Sequence, residues 1–215
     1  MKLFEPLSIR GMTVKNRVVM APMEVGVGLR SARARAYYAE RAEGEVGAIV
    51  SAAVAADFFA ADEAWGRVGG LASFLQGVQS LTEVVHRAGA KIGVQLWYGN
   101  RFPAYLGLRR TGERVAPSPR IGQTEVWEEV GPMRELTREE IQHIVSRFAQ
   151  AAVGAREAGF DFVELHGAHG YLLNQFFSPR FNQRQDEYGD SLKGRMRFGL
   201  ECVAAIRRAA GAEFP

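Results

Sequence analysis

Residues 160–190 read FDFVELHGAHGYLLNQFFSPRFNQRQDEYGD. A short, almost continuously apolar run ends on His166, and His169 and Tyr171 follow at once. Runs of this kind suit parallel strands covered on both faces. Gly159, just before the run, is a helix stop of the left-handed type, and Gly89-Ala90-Lys91 repeats the pattern earlier in the chain. Working outward, three more runs share the character of Asp161–His166: Arg17–Pro22, Val46–Ala52 and Lys91–Leu96.

Helical spacing fills the gaps between these runs. Phe74, Val78, Leu81, Val85 and Ala88 form one apolar stripe, Ile141, Val145, Phe148, Ala152 and Ala155 a second, and Met196, Leu200 and Val203 a third. Thr137 and Glu140 make a T-x-x-E capping box at the start of the second stripe, and Leu136 can staple onto Ile141. Leu7–Lys15 predicts a hairpin turning at Arg10-Gly11. The resulting β-α alternation implies an α/β fold, either a (β/α)8 TIM-type barrel or a doubly wound sheet. Only four βα units are visible in residues 1–215, read as a single domain, whereas a complete barrel takes roughly 250 residues. A half barrel would leave its first and fourth strands as open edges. The proline- and glycine-rich stretch 98–134 predicts a long loop on the face where strands end, and loops of that length are commonly functional.

Composition excludes several classes of function. The 215 residues carry 27 basic and 24 acidic side chains, with no basic block that would mark a nucleic-acid or membrane-surface protein. The single cysteine, Cys202, rules out an internal disulfide and fits a packed thiol in a reducing cytosol. No run approaches the ~18 apolar residues of a membrane span, and the opening MKLFEPLSIRG has no signal-peptide core. The expectation is a soluble, cytoplasmic protein.

The chemistry concentrates at strand ends. His166 and His169 form an H-x-x-H pair, but histidines three apart converge on a metal only within a helix. Gly167 and Gly170 oppose a helix, and no carboxylate or cysteine joins at ligand spacing, so no metal site is expected. There is no nucleophile elbow and no P-loop. Gly26-Val27-Gly28-Leu29-Arg30-Ser31 half-matches a dinucleotide fingerprint and reads equally as a plain loop. Two readings of the His166–Tyr171 cluster stand side by side. In one, imidazole N–H groups polarise a ligand carbonyl and a phenol supplies a proton. In the other, the histidines satisfy loop backbone and Tyr171 packs.

The segment HGAHGYLLNQFFSPRFNQRQDEYGD, followed by Ser191, Arg195 and Arg197-Phe198, resembles the fourth-strand signature of the Old Yellow Enzyme family of flavin oxidoreductases. LFEPLSIRGMTVKNRVVMAPM resembles that family's opening, and KIGVQL and Arg134–Thr137 also match. The resemblance runs the length of the chain but corresponds to about the first half of the family's barrel.

The resemblance implies an FMN-dependent enzyme, reduced by NADH or NADPH, that reduces the C=C bond of α,β-unsaturated carbonyl compounds. Ala21, Pro22 and Met23 would pass the flavin by main-chain contact, with Glu24 beside them. Ala53 would leave room at its polar edge, and Gln95 would hydrogen-bond its pyrimidine end. His166 and His169 would hold the substrate oxygen, with His166 also at the flavin, and Tyr171 would protonate the α-carbon. Asn182, Arg184, Asp186 and Tyr188 read as structural, an Arg–Asp pair pinning the loop.

Three departures from the family pattern stand out. Glu24 replaces a Cys or Thr, either as a carboxylate that repels reduced flavin or as a protonated donor. Trp97 and Tyr98 stand where several relatives have small residues or histidine and would narrow the pocket or suit it to a flat substrate, and Asp190 replaces a Gly. Counterparts of the family's fifth-strand Arg and phosphate-binding loops are not in these residues, so weak or no FMN binding by this chain alone is expected. Two alternatives belong to other classes. One is a non-catalytic half-barrel pairing with itself or with a complementary C-terminal half. The other is an NAD-dependent Rossmann enzyme using the Gly26 cluster, with Asp57 as its acidic residue.

Overall fold

The computed structural model of the chain describes residues 2–59, 70–99, 101–102, 113–119 and 132–215. In chain order, the hairpin strands β1 (Leu7–Ile9) and β2 (Met12–Val14) precede β3 (Val19–Met20), α1 (Ala32–Glu43), β4 (Ala48–Ala55), α2 (Gly70–Arg87) and β5 (Lys91–Trp97). Three short strands follow, β6 (Arg101–Phe102), β7 (Glu113–Ala116) and β8 (Arg134–Glu135). The chain continues through α3 (Arg138–Glu157), β9 (Phe162–Leu165), α4 (Leu172–Phe177) and α5 (Leu192–Ala210).

The main sheet is parallel, in the order β3-β4-β5-β9. Among the described residues each new strand of this sheet joins beside the one before it, with no reversal of order. A doubly wound sheet needs such a reversal to make its ligand crevice, so the order selects the barrel wall. Asp57, the acidic residue of the Rossmann alternative, lies in a 3-10 turn after β4 and is bound at 2.8 Å by Arg147 Nε, a buried ion pair between strand end and α3.

The hairpin closes one end of the sheet. It turns at Arg10, whose φ of 52° lets the chain reverse, and packs Met12 and Val14 against Ala48 and Phe162. Ala48 opens β4 and Phe162 opens β9, so the plug lies at the N-terminal ends of the strands, opposite His166. A Cβ built at Gly93 would run into the Phe162 ring. The absent side chain on β5 is therefore the space that the ring of its partner on β9 fills.

Helix starts follow the sequence chemistry. Thr137 Oγ1 accepts the Glu140 N–H, and Glu140 Oε2 accepts the Thr137 N–H at 2.8 Å. Leu136 and Ile141 are both in the main core. Gly159, with φ 86°, ends α3 as expected. The loop Gly26–Ser31 leads into α1, which Ser31 caps by accepting the Ala34 N–H.

Several boundaries and faces depart from the sequence expectation. Only Val19–Met20 of the run 17–22 pairs, because β3 has a sheet neighbour on one side among the described residues. The second strand continues to Ala55, with a register slip between Ser51 and Val54. On α5 the buried stripe is Phe198, Cys202, Ala205 and Ile206, while Leu200 (60%) and Val203 (41%) are exposed. Apolar spacing alone could not say which of two adjacent stripes meets the core. Of the loop 98–134, residues 100, 103–112 and 120–131 lie outside the described residues. Asp190 adopts φ 57°, the left-handed conformation that a glycine would take there. Among the described residues no helix is long and apolar enough to cross a membrane.

Candidate active site

β9 delivers His166 directly: its backbone N–H donates to Leu96 O, extending the β5–β9 ladder by one bond. The chain then reverses sharply. His169 and Gly170 both have positive φ, 56° and 78°, an arrangement costly for a histidine and held here by its surroundings. Gly170 N–H donates to Asn174 Oδ1 at 3.0 Å, Gln175 Nε2 donates to Gly170 O at 2.6 Å, and Leu172 N–H donates to Tyr98 O. Asn174 and Gln175 are thus supports that the sequence reading missed. Their signal was two amide side chains one turn after the glycine they serve.

These supports bring three rings together. The His166 and His169 ring centroids are 4.9 Å apart, and those of His166 and Tyr171 are 4.7 Å apart at 79°. Tyr171 also stacks on Trp97, with centroids at 4.8 Å and planes at 35°. Trp97 therefore belongs to the cluster, whereas Tyr98 turns into the core against Phe148, 2% exposed, and narrows no pocket.

Hydrogen bonding fixes the tautomers. The Ala168 N–H donates to His166 Nδ1 at 3.2 Å, so that nitrogen bears the lone pair and Nε2 bears the hydrogen. His166 Nε2–H then points to His169 Nδ1 at 3.2 Å, leaving the His169 Nε2–H for a ligand. Burial, and next the nearby His169, hold the His166 pKa below 6.5. A neutral imidazole that donates without becoming an acid is the consequence.

The other sequence-selected residues lie along the same strand ends. Ala21 and Met23 are exposed and Pro22 half-buried just after β3, two strands away from β5. Glu24 is exposed, and its Oε1 accepts the Gly26 N–H at 3.0 Å. Ala53 sits in the β4 register slip, which Tyr38 stabilises: its buried hydroxyl accepts the Ala52 N–H at 2.9 Å. Burial pushes the Tyr38 pKa up. Gln95 Nε2 donates to Glu164 Oε1. Glu24, Ala53 and Trp97 share one cleft, and the His166 cluster adjoins it through Trp97. Among the described residues no three or more His, Cys, Asp or Glu gather as a metal site would require.

The loop behind the cluster is locked by Arg184. Its guanidinium donates to both Asp186 oxygens and to the carbonyls of Pro117 and Leu136. Asn182 Nδ2 bridges Phe176 O and Tyr188 O. The Tyr188 hydroxyl donates to Glu201. These residues hold structure, as expected.

Residues 2–214 match the model of the NADH:flavin oxidoreductase / NADH oxidase family. An NADPH dehydrogenase of Geobacillus sp. (strain WCH70) is 38% identical over 216 residues, covering 95% of this chain and 59% of that protein. The chain superposes on morphinone reductase in complex with tetrahydroNAD with a TM-score of 0.78 and 32% identity, covering 62% of it. It superposes on the old yellow enzyme homologue from Zymomonas mobilis with a TM-score of 0.79 and 28% identity, again covering 62%. It thus spans about three-fifths of the length of these relatives. With a parallel sheet in barrel order and a match along nearly its whole length, the chain belongs to the NADH:flavin oxidoreductase / NADH oxidase family.

Proposed function

We propose that this chain is the N-terminal part of an FMN-dependent NAD(P)H oxidoreductase that reduces the C=C bond of α,β-unsaturated carbonyl compounds. The observation that carries the reading is the contact of His166 with both His169 and Tyr171 at the end of β9. The residues suit a flat heteroaromatic ring. Ala21 and Met23 are exposed, the β4 slip carries a small side chain at Ala53, and the Gln95 amide is held in one orientation by Glu164. FMN, when bound, would supply the hydride that NADH or NADPH provides.

The protein's own groups handle the oxygen and the proton. The His169 Nε2–H donates to the acceptor carbonyl, and His166 Nε2–H joins it by exchanging its bond to His169 for one to the ligand. Two neutral donors aimed at one oxygen stabilise the negative charge that gathers there. Tyr171, steadied by Trp97, holds its phenolic proton beside the same site and gives it to the α-carbon. The test is FMN titration of the purified chain, alone and mixed with a C-terminal barrel half from a relative, followed by NAD(P)H oxidation with and without cyclohexenone. Enone-dependent oxidation that Tyr171→Phe abolishes supports the reading. A colourless protein without enone dependence in both preparations overturns it.

A second reading, a non-catalytic half-barrel that assembles with itself or with a complementary half, is favoured by the apolar surface. Leu200 and Val203 on α5 and Val19 on the β3 edge (55%) are exposed. A monomeric mass by size exclusion, with ordinary solubility, counts against it.

A further inference from the structure

The cleft beside Trp97 extends away from the histidines, between the β4 end, the loop before α1 and α2. It encloses about 790 Å³ and is walled by Leu29, Val54, Phe58, Phe74 and Trp97. Charge enters this apolar space from two side chains. Glu24 has one carboxylate oxygen on the Gly26 N–H. Arg30 is placed differently. Its methylenes lie across Gly77 of α2, where a built Cβ would be 2.7 Å from Cδ and 2.9 Å from Cγ, and its guanidinium stands 5.7 Å from the Phe74 ring centroid.

Arg30 is thus laid along the cleft wall while its side chain remains exposed at the cleft mouth. Among the described residues no carboxylate pairs with it. Its one hydrogen bond there is through its backbone oxygen, which accepts from Arg35 Nη1. An arginine whose stem is packed on glycine and whose head rests on an aromatic face has lost little freedom still to lose on binding. It presents a forked donor to an anion at the end of an apolar body.

The geometry points to a carboxylate-recognition subsite: Arg30, seated on Gly77 and Phe74, binds the carboxylate of an apolar acid whose body fills the cleft toward Trp97. This deepens the reading above and rests on it in one respect, that the cleft forms part of the acceptor's site. The substrate class it selects is unsaturated apolar compounds bearing a carboxylate, in preference to their neutral amides or esters.

Binding, separate from turnover, tests the subsite. The full chain is titrated calorimetrically with 3-phenylpropanoate and with 3-phenylpropanamide, neither of which has a reducible side-chain double bond. The acid is expected to bind at least about tenfold more tightly, the scale of one charge-assisted hydrogen-bonded pair. Arg30→Leu should erase the difference. Gly77→Ala should shrink it severalfold while leaving Tm unchanged or higher, since alanine favours the helix but displaces the Arg30 stem. Equal binding of acid and amide to the unaltered chain, or a preference that survives Arg30→Leu, overturns the assignment. So does an Arg30-dependent preference for adenosine 2′,5′-bisphosphate with acid and amide alike, which would give the subsite to the reductant's phosphates. Failure of enone turnover with this binding intact would count against the proposed reaction and leave the subsite standing.

Discussion

Gln95 and Glu164 stand opposite each other in the β5–β9 register, and Gln95 Nε2 donates to Glu164 Oε1 across 2.6 Å. That bond fixes which end of the amide faces Glu164 and leaves the Gln95 oxygen able to accept a hydrogen bond. Glu164→Leu is expected to release the amide and weaken FMN binding by roughly tenfold, about one hydrogen bond with its orientation. Glu164→Gln should do much less. Flavin fluorescence titration of both variants, in the assembly that binds FMN, checks the order.

Tyr171→Phe is expected to slow enone reduction by about 10²- to 10⁴-fold, the usual contribution of a positioned general acid. Flavin reduction by NAD(P)H should stay near its original rate. Stopped-flow absorbance separates the two half-reactions. His169→Asn, which keeps a donor, should lose less than His169→Leu.

His166 titrates below 6.5 because burial, then His169, disfavours its cation. On acidification the unfolded chain therefore takes up this proton before the folded one does. The neutral ring's contribution to stability is present above pH 6.5 and is lost as pH falls from there toward the folded value. Chemical denaturation from pH 7.5 to 5 should show this slope, and His166→Asn should flatten it.

Asp186 has the opposite sign. Hydrogen bonds from the Arg184 side chain hold its carboxyl down to about 2, against an ordinary 3.8. Its stabilisation is complete above pH 4 and is lost as pH falls toward 2. Asp186→Ala leaves the buried Arg184 short of its bidentate partner and should cost about 2–3 kcal/mol at neutral pH. Urea denaturation midpoints measure it.

Phe162 fills the place of a side chain at Gly93, so Gly93→Ala should cost roughly 1–3 kcal/mol by overpacking. Phe162→Leu should recover much of that loss in the double variant, and non-additivity in the cycle is the measurement.

Much of the site was written along the chain. The hairpin at Arg10-Gly11, the Thr137–Glu140 box, the Gly159 stop and the Arg184–Asp186 pair are local, each set by residues within a few positions of one another. His166, His169 and Tyr171 were legible for the same reason, lying within six consecutive positions. Trp97, Tyr38 and the Gln95–Glu164 bond were not read as supports of the site. Their partners lie 74, 14 and 69 positions away, and no local pattern encodes which strand face a side chain takes.

What the sequence determined alone was the alternation of strands and helices, because periodicity and capping act within a turn or two. It also determined the chemical kinds gathered after the fourth parallel strand. Periodicity left barrel wall and doubly wound sheet both open; the resemblance pointed to the barrel and the strand order bears it out, because strand order is a matter of which edge each strand joins. Tertiary structure decided that Met196, Leu200 and Val203 are not the core stripe of α5, since two neighbouring apolar stripes look alike until one is buried. It also decided that the exposed Arg30 lines an apolar cleft, because only packing sets the Gly77 backbone beneath its stem.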